Sequence, residues 1–284
     1  MKILAFGEIL WDIFPDDKKI GGAPFNFAAH CARHGAETYL VSAVGMDENG
    51  ADALNEAKKH GILCDYISVE RKYETGYCRV TLENGKPKYT LASDVAYDHI
   101  TGAYPSSEFD LLYFGTLAMR APDSRRAFEK MLKYVKAKEV FFDVNFRGNF
   151  YTRELVNMLM RETTVLKMSN EEMGFFGNKG EINTCLELSK SYPRLKYILL
   201  TLGGDGAIVY DCRKRTLLYS EKPKSKAIST VGAGDSFSAS FVCSLFGGCT
   251  VEDSLDRAVK LSDFVVTQIE AVPEYDAKIF YQSY

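Results

Sequence analysis

The chain has 284 residues, of which 46% are hydrophobic and 26% charged, the balance of an ordinary globular protein. A net charge of −3 and a pI near 5.9 exclude a strongly basic surface, so neither nucleic acid nor a membrane is an expected partner. The seven cysteines contain no Cys-x-x-Cys pair, which favours reduced thiols over disulfides or a zinc site. Glu8 and Asp12 interrupt the N-terminal apolar run, so we expect no signal peptide and a cytoplasmic protein.

Short apolar runs alternate with amphipathic segments along the chain. The runs predicted as strands are 2–10, 38–45, 110–115, 139–145, 164–169 and 196–202. The segments predicted as helices are 24–35, 50–61 and 123–138. Strands alternating with helices of this length predict βαβ units and an α/β fold, with a mostly parallel sheet covered by helices on both faces.

Residues 76–94 depart from this alternation. They contain two extended segments around Glu83-Asn84-Gly85-Lys86, and Asn-Gly between such segments is a strong hairpin signal. We expect a small antiparallel flap inserted in the core, with residues 12–22 supplying a further strand or turn. The sequence has no repeat and no linker, so residues 1–284 are predicted to form a single domain with this flap as its lid.

Glycine clusters fall where an open parallel sheet binds its ligands, beyond the carboxyl ends of the strands. They occupy 21–26, 44–50, 201–207 and 231–235. In the last cluster, Gly232, Ala233 and Gly234 open a predicted helix, whose free N–H groups suit a phosphate. Asp235 suits a general base, because a carboxylate beside a phosphate is repelled rather than bound. A Gly-Asp pair is also an ordinary helix N-cap, and this motif alone leaves both interpretations open.

Five motifs occur in order across most of the chain, namely GGAPFNFA, VGMDENG, DVNFR (143–147), TLGGDGA and TVGAGD. With them the chain resembles the ribokinase-like (PfkB) carbohydrate kinases, and GEILWD (7–12) and DVNFR resemble the fructokinase branch. No Gly-x-Gly-x-x-Gly follows the first strand and no P-loop is present. The resemblance implies a three-layer α/β/α ribokinase-like fold with a mostly parallel central sheet and a small β-sheet lid over the sugar.

The implied activity is ATP-dependent transfer of the γ-phosphoryl group to a primary hydroxyl of a sugar. Fructose, giving fructose 6-phosphate, is the expected substrate. A ribokinase, a 2-keto-3-deoxygluconate kinase and a nucleoside kinase of the same family are the alternatives. A non-catalytic sugar-binding regulator is disfavoured because Asp235 and the glycine loop are present.

The resemblance also implies roles for individual residues. It makes Asp235 the catalytic base and Gly232, Ala233 and Gly234 the anion hole. The residues implied for the sugar are Asp12, Gly22, Asn26, Asn145 and Arg147. Those implied for the nucleotide are Lys167, Ser169, Thr201, Gly203 and Gly206. Glu172 is implied to orient water on the Mg²⁺ that accompanies ATP. A structural salt bridge for Arg147 and a solvated helix acid for Glu172 stay open, and His30 and His34 are interpreted as surface or packing residues.

Two positions depart from the family pattern. Ser229 stands where relatives carry an aspartate that helps to bind a monovalent cation, and Glu270 precedes Ala271 where they read Gly-Ala. Either Glu270 replaces the lost carboxylate, or it turns outward while hydrogen bonds from Ser229 hold the loop. A hydroxyl does not match a carboxylate for a K⁺-like ion, so we expect weak or absent dependence on K⁺. We also expect a homodimer through the lid, whose edge strand invites pairing.

Overall fold

The computed structural model describes residues 1–83, 86–101, 105, 107–177 and 179–281. Its strands are β1 (Lys2–Phe6), β2 (Leu10–Ile13), β3 (Lys18–Gly21), β4 (Glu37–Gly45), β5 (Ile62–Leu63), β6 (Ile67–Glu70), β7 (Tyr77–Glu83), β8 (Lys86–Leu91), β9 (Glu108–Phe114), β10 (Lys136–Asp143), β11 (Val165–Ser169), β12 (Tyr197–Thr201), β13 (Ala207–Asp211) and β14 (Thr216–Tyr219). Its helices are α1 (Ala23–Arg33), α2 (Glu48–Lys59), α3 (Pro122–Tyr134), α4 (Arg153–Met160), α5 (Asn170–Phe176), α6 (Glu181–Ser191), α7 (Ala233–Phe246) and α8 (Val251–Val265). Within the described ranges, no helix combines the length and apolar character that crossing a membrane requires.

The larger sheet runs in the order β14-β13-β12-β11-β10-β9-β1-β4-β5, with β6 also paired to β4. Neighbours from β12 to β5 pair in parallel, whereas β13 and β14 are antiparallel additions at one edge. Parallel pairing requires a crossover between strands, which most of the helices supply. The carboxyl ends of the central strands therefore meet at one edge of the sheet.

Both faces of this sheet are covered. In β1, Leu4 and Phe6 belong to a core that includes residues of α3, α4 and α6. Ile3 and Ala5, which point to the other face, belong to a second core with residues of α1, α2, α7 and α8. This near-continuous burial of the strands is typical of a parallel sheet between two helical layers. It confirms the predicted three-layer α/β/α fold class.

A separate small sheet lies in the order β3-β2-β7-β8. β2 pairs in parallel with β7, placing Asp12 opposite Cys78, and the β2–β3 and β7–β8 pairs are antiparallel. The β7–β8 ladder continues to Glu83 opposite Lys86. The predicted turn residues Asn84 and Gly85 lie outside the described residues. The small sheet confirms that part of the predicted fold class.

Two predicted elements were wrong at their boundaries. The run 2–10 is not one strand, because β1 ends at Phe6 and the chain crosses to β2 at Gly7. Gly7 has a φ of 144°, and a Cβ there would lie 2.6 Å from Cγ of Pro24, so this bend requires glycine.

The predicted helix 123–138 ends at Tyr134, and Lys136 already pairs with Glu108 as the first residue of β10. Lys138 forms an ion pair with Asp110 of the neighbouring strand at 2.7 Å. Pairing between strands therefore overrides the helical pattern of this charged segment.

Candidate active site

Asp235 lies in the first turn of α7, at the sheet edge where the central strands end. Asn26 of α1 donates a hydrogen bond from Nδ2 to Asp235 Oδ2 at 2.8 Å. Burial raises the pKa of Asp235, while the Asn26 hydrogen bond and the charges of Lys167 and Arg147 counteract part of that rise. A carboxylate with a raised pKa, fixed on one oxygen, is suited to accept a proton on the other.

The loop before Asp235 needs glycine at two points. Gly232, the N-cap of α7, has a φ of 81°, and a Cβ there would lie 2.4 Å from the carbonyl oxygen of Ala271. A Cβ on Gly234 would lie 2.9 Å from Nζ of Lys167. The N–H groups of Gly234 and Asp235 are in the first helical turn, where no intrahelical carbonyl is available. The loop therefore opens α7 with N–H groups that need a partner, and its Gly234 lies against the Lys167 ammonium.

Lys167 is held by a buried ion pair. It projects from β11, and Nζ lies 3.0 Å from Oδ1 of Asp143 at the end of β10. The Tyr113 hydroxyl donates to the other oxygen of Asp143 at 3.1 Å. Burial raises the pKa of Asp143 to about 6. Burial also lowers the pKa of Lys167, but nearby carboxylates, Asp143 foremost, raise it above its ordinary value. Lys167 therefore remains charged beneath Gly234.

The part of the candidate site next to the small sheet is acidic around Arg147. Asp12 of β2 is partly buried, and burial raises its pKa to about 6. The exposed Arg147 lowers the pKa of Asp12, Glu8 and Asp235 relative to burial alone. Gly22 has a φ of 107°, and a Cβ there would lie 2.5 Å from the carbonyl oxygen of Glu8. A residue with a Cβ at position 22 would therefore collide with the backbone of Glu8.

Asn145 stands next to this group with a strained backbone. Its φ of 38° is in the left-handed region. The Thr116 hydroxyl donates to the Val144 carbonyl at 2.9 Å and to the Asn145 carbonyl at 3.3 Å, which holds the bend in place. The bend directs the chain from β10 towards Arg147.

Glu172 bridges two segments at this edge. One carboxylate oxygen accepts from the Ser169 N–H at 2.7 Å, and the other accepts from the Phe146 N–H at 2.8 Å. Ser169 in turn caps α5 by accepting from the Glu172 N–H at 3.2 Å. Glu172 is therefore not a solvated helix acid. Its charge acts on both Asp143 and Lys167.

Among the described residues, no group of three or more His, Cys, Asp or Glu side chains is arranged to hold a metal ion. Mg²⁺ prefers phosphate and water oxygens supplemented by one or two carboxylates. The carboxylate of Glu172, fixed beside a charged lysine, fits such a supplementary role.

The predicted nucleotide turn lies one strand further along. Thr201 ends β12 opposite Ser169 of β11. Gly203 and Gly206 follow with φ values of 58° and 95°. A Cβ on Gly206 would lie 2.5 Å from the hydroxyl oxygen of Ser220, so this glycine serves close packing, whereas Gly203 is exposed. The turn follows β12, next to the strand that carries Lys167.

The loop ahead of α7 is fixed by its own hydrogen bonds. Ser229 Oγ accepts from the Val231 N–H at 3.2 Å. Glu270 is exposed, and its charge acts on Arg33 of α1. His30 is fully buried rather than at the surface, and its ring bonds the Ala271 carbonyl at 3.0 Å. It therefore supports the backbone against which Gly232 packs.

The model of the pfkB family carbohydrate kinases matches residues 15–277. The chain belongs to the pfkB family of carbohydrate kinases. This membership confirms the predicted family and makes the protein a sugar kinase, with the use of ATP and a divalent metal that the family implies.

Relatives of this pfkB kinase have several names. An ATP-dependent 6-phosphofructokinase of Thermoanaerobacterium thermosaccharolyticum is 25% identical over 296 residues, covering 95% of this chain and 89% of that protein. A fructokinase of Rhizobium leguminosarum bv. trifolii is 26% identical over 267 residues, covering 86% and 79%. Among solved structures, the fructokinase of Vibrio cholerae O395 with fructose, ADP and calcium ion bound has a TM-score of 0.84 at 22% identity, covering 99% of each chain. That likeness shows a shared fold.

Asp143 and Glu8 lie at the candidate site of this pfkB kinase but were not assigned to it from the sequence. Asp143 belongs to the DVNFR motif, but only the fold shows that it pairs with Lys167. Glu8 lies in GEILWD and is 2% exposed. An acid within an apolar run was the available signal for Glu8, because a buried carboxylate is rare without a function or a partner.

Proposed function

We propose that this pfkB kinase transfers the γ-phosphoryl group of ATP to the primary 6-hydroxyl of fructose. The observation that carries the proposal is the placement of Asp235, oriented by Asn26, beside an N–H loop that lies against Lys167. A base and an electropositive anion site within one helical turn are what phosphoryl transfer to an alcohol requires.

The reaction follows from these positions. The fructose 6-hydroxyl lies against Asp235 and gives its proton to the carboxylate as its oxygen bonds to the γ-phosphorus. The bond from that phosphorus to the β–γ bridging oxygen breaks, and ADP leaves with the electron pair. The N–H groups of Gly234 and Asp235, with Lys167 beneath them, stabilise the negative charge on the transferring group. Bound Mg²⁺ supplies neutralisation of phosphate charge, with Glu172 as its supporting carboxylate.

The sugar is held by the acidic pocket under the lid in this proposal. Asp12 accepts from two neighbouring hydroxyls, and the backbone at Gly22, the amide of Asn145 and the Arg147 guanidinium contact the remaining oxygens. Ser169, Thr201, Gly203 and Gly206 line the nucleotide side, beyond β11 and β12. The small sheet closes on the sugar and keeps water away from ATP.

Fructose is favoured over the other acceptors by the GEILWD and DVNFR motifs and by relatives that are named fructokinases. A ribokinase, a 2-keto-3-deoxygluconate kinase and a nucleoside kinase are the competing assignments. The exposed Glu270 and the Ser229 hydrogen bond support weak or absent activation by K⁺.

Turnover against a panel of acceptors tests the proposal. The purified protein is assayed for ADP release with Mg-ATP and fructose, ribose, adenosine, 2-keto-3-deoxygluconate or fructose 6-phosphate, and the product is identified by NMR. We expect the highest kcat/KM with fructose and phosphorylation at position 6. A tenfold preference for another acceptor would overturn the choice of fructose, and absence of turnover with every acceptor would overturn the kinase assignment.

A further inference from the structure

Three buried polar atoms below the lid have no hydrogen-bond partner among the described residues. They are Oε2 of Glu8, the hydroxyl of Tyr97 and Nη1 of Arg120. Glu8 follows β1, Tyr97 lies in the 3-10 turn Ala96–His99, and Arg120 ends the 3-10 turn Leu117–Arg120. Leaving a buried donor or acceptor unpaired costs stability, so a cluster of such atoms from separate elements requires a partner that the protein itself does not supply.

These side chains are neighbours. The guanidinium carbon of Arg120 lies 5.1 Å from the centroid of the Tyr97 ring, and the charge of Glu8 acts on both groups. A Cβ on Gly76 would lie 2.4 Å from the Tyr97 ring and 3.3 Å from the carbonyl oxygen of Ile9, next to Glu8. The cluster therefore lies where β2 and β7 leave the core for the lid. Glu8 also lies in the field of Asp235.

The charge balance shows what this cluster can accept. Arg120 is already neutralised by Asp98, with Nε donating to one carboxylate oxygen at 2.7 Å and Nη2 to the other at 2.8 Å. Its Nη1 remains as a donor attached to a neutral pair. Across the site, burial raises the pKa values of the carboxyl groups of Glu8, Asp12 and Asp235, while Lys167 is paired with Asp143. A phosphate or carboxylate placed here would make ionisation of these carboxyl groups costlier still.

Oε2 of Glu8 needs a hydrogen-bond donor and Nη1 of Arg120 needs an acceptor. A sugar hydroxyl meets both needs, because it donates one hydrogen bond and accepts others. We propose that Glu8, Tyr97 and Arg120 form a hydroxyl-binding subsite that makes this kinase select a neutral sugar over a phosphorylated or acidic one. The hydroxyls involved are those remote from the one that receives the phosphoryl group. This inference deepens the proposed function and rests on it.

The titration of Glu8 agrees with this role. Burial raises the pKa of Glu8 to about 7, whereas a direct ion pair with Arg120 would lower it. Arg120 directs Nε and Nη2 to Asp98 and to the Ala92 carbonyl rather than to Glu8. Backbone N–H groups of Glu8 and Ala23 hydrogen-bond the Glu8 carboxylate, which leaves Oε2 for a hydroxyl.

Binding can be measured without turnover. Trp11 is the only tryptophan in the chain. It lies in β2 next to Asp12, with its indole N–H bonded to the Asn49 carbonyl at 2.9 Å. Its fluorescence is titrated with fructose, ribose, fructose 6-phosphate and 2-keto-3-deoxygluconate, in the full chain.

Two variants test the subsite. Glu8→Gln keeps the shape and replaces the acceptor oxygen, and Tyr97→Phe removes only an unpartnered hydroxyl, so a structural role alone predicts no loss of binding. Glu139→Gln is the matched control, because Glu139 also has a buried unpartnered oxygen but lies early in β10, beside Lys196. We expect the fructose Kd to rise roughly tenfold or more in Glu8→Gln and several-fold in Tyr97→Phe. The fructose Kd of Glu139→Gln should equal that of the wild type, and the ATP affinity of all three variants should not change.

The outcomes separate this inference from the proposed function. Normal fructose binding by both variants, or tighter binding of fructose 6-phosphate or the sugar acid than of any neutral sugar, overturns the subsite. If ribose binds best and its binding depends on Glu8, the subsite stands and the choice of fructose fails. If fructose is bound and phosphorylated without dependence on Glu8, the proposed function stands and the subsite fails.

Discussion

Asp235 and Lys167 both lie next to Gly234, the first in sequence and the second in space. Lys167 is fixed by Asp143 at 3.0 Å, and Asp235 is fixed by Asn26 at 2.8 Å. Neither side chain has to reorganise during a reaction at this loop. Such preorganised charge is the main source of catalytic stabilisation in water-poor sites.

Asp12→Ala should weaken sugar binding. A hydrogen bond to a charged group contributes roughly 1.5–3 kcal/mol, so we expect the fructose KM to rise by about one to two orders of magnitude. The ATP KM should stay constant. Asp16→Ala, in the exposed turn between β2 and β3, is the control. A rise in the ATP KM with an unchanged fructose KM would show that Asp12 contacts ATP rather than the sugar.

Glu8 makes the stability of the chain depend on pH. Burial raises its pKa from 4.5 to about 7. Between these two pH values the native carboxyl keeps a proton that the unfolded chain has lost. The stability due to this difference is complete below pH 4.5 and is lost as the pH rises through 7.

Glu8→Gln does not titrate. The free energy of unfolding of the wild type relative to Glu8→Gln should therefore fall by roughly 3 kcal/mol across that pH window. Urea denaturation of both proteins at several pH values measures this difference, in which other titrating groups cancel. A difference that stays constant with pH would show that Glu8 is not a buried acid.

At the level of elements, Asp47 joins the lid to the core. It caps α2 by accepting from the Gly50 N–H at 2.7 Å, and it accepts from the N–H and hydroxyl of Thr75, ahead of β7, at 2.8 Å and 2.6 Å. A Cβ on Gly50 would lie 2.1 Å from the Gly45 carbonyl oxygen. The glycines of 44–50, expected from sequence at the ligand edge, therefore serve this joint.

Asp47→Ala should weaken the connection between α2 and the segment before β7. Loss of the helix cap alone costs about 1 kcal/mol, and the unpaired Thr75 groups add to it, so we expect destabilisation by roughly 1–3 kcal/mol. The fructose KM should rise more than the ATP KM, because β7 is a lid strand. Glu48→Ala, at the first residue of the same helix, is the control. Equal effects of both variants would contradict a joint at Asp47.

Some of the strands could be predicted from the sequence and others could not. Apolar periodicity predicted the strands that become β4, β9, β11 and β12, because parallel strands buried on both faces are apolar throughout. It did not separate β1 from β2, since both are apolar and only the bend at Gly7 divides them. The antiparallel pair β13 and β14 at the sheet edge was not predicted, because pairing with a neighbour is a tertiary property.

In the candidate site, residues within sequence motifs could be predicted, whereas residues outside the motifs could not. Residues within motifs, such as Asp235 and Asn26, were assigned from the sequence, and the structure brings them into contact. Tyr97 and Arg120 belong to no motif, and only the fold reveals that the Tyr97 hydroxyl and Nη1 of Arg120 are buried and unpartnered among the described residues. Burial of a particular atom depends on the packing of distant segments, which local patterns do not encode.

At the scale of the whole molecule, each of the two sheets has an outer strand that exposes a tyrosine. β8 is an outer strand of the small sheet and exposes Tyr89 to 53%. β14 is an outer strand of the large sheet and exposes Tyr219 to 62%. Unpaired strand edges are templates for pairing with another chain, and the lid edge is the one we propose to pair.

Sedimentation velocity at micromolar concentration tests the resulting homodimer. We expect the wild type and Tyr219→Ser to sediment as dimers and Tyr89→Ser to shift towards monomer. A monomeric wild type, or dissociation by Tyr219→Ser alone, would show that the lid does not form an interface.

The most direct test of the account is the turnover of Asp235→Asn. If Asp235 takes the proton from the sugar hydroxyl, this isosteric change should lower kcat with fructose by about 10²–10⁴-fold. The Tm should change little. ATP affinity should also be retained, because the N–H groups of the anion site and Lys167 are untouched. Near-normal turnover by a folded Asp235→Asn protein would contradict the assignment of Asp235 as the catalytic base.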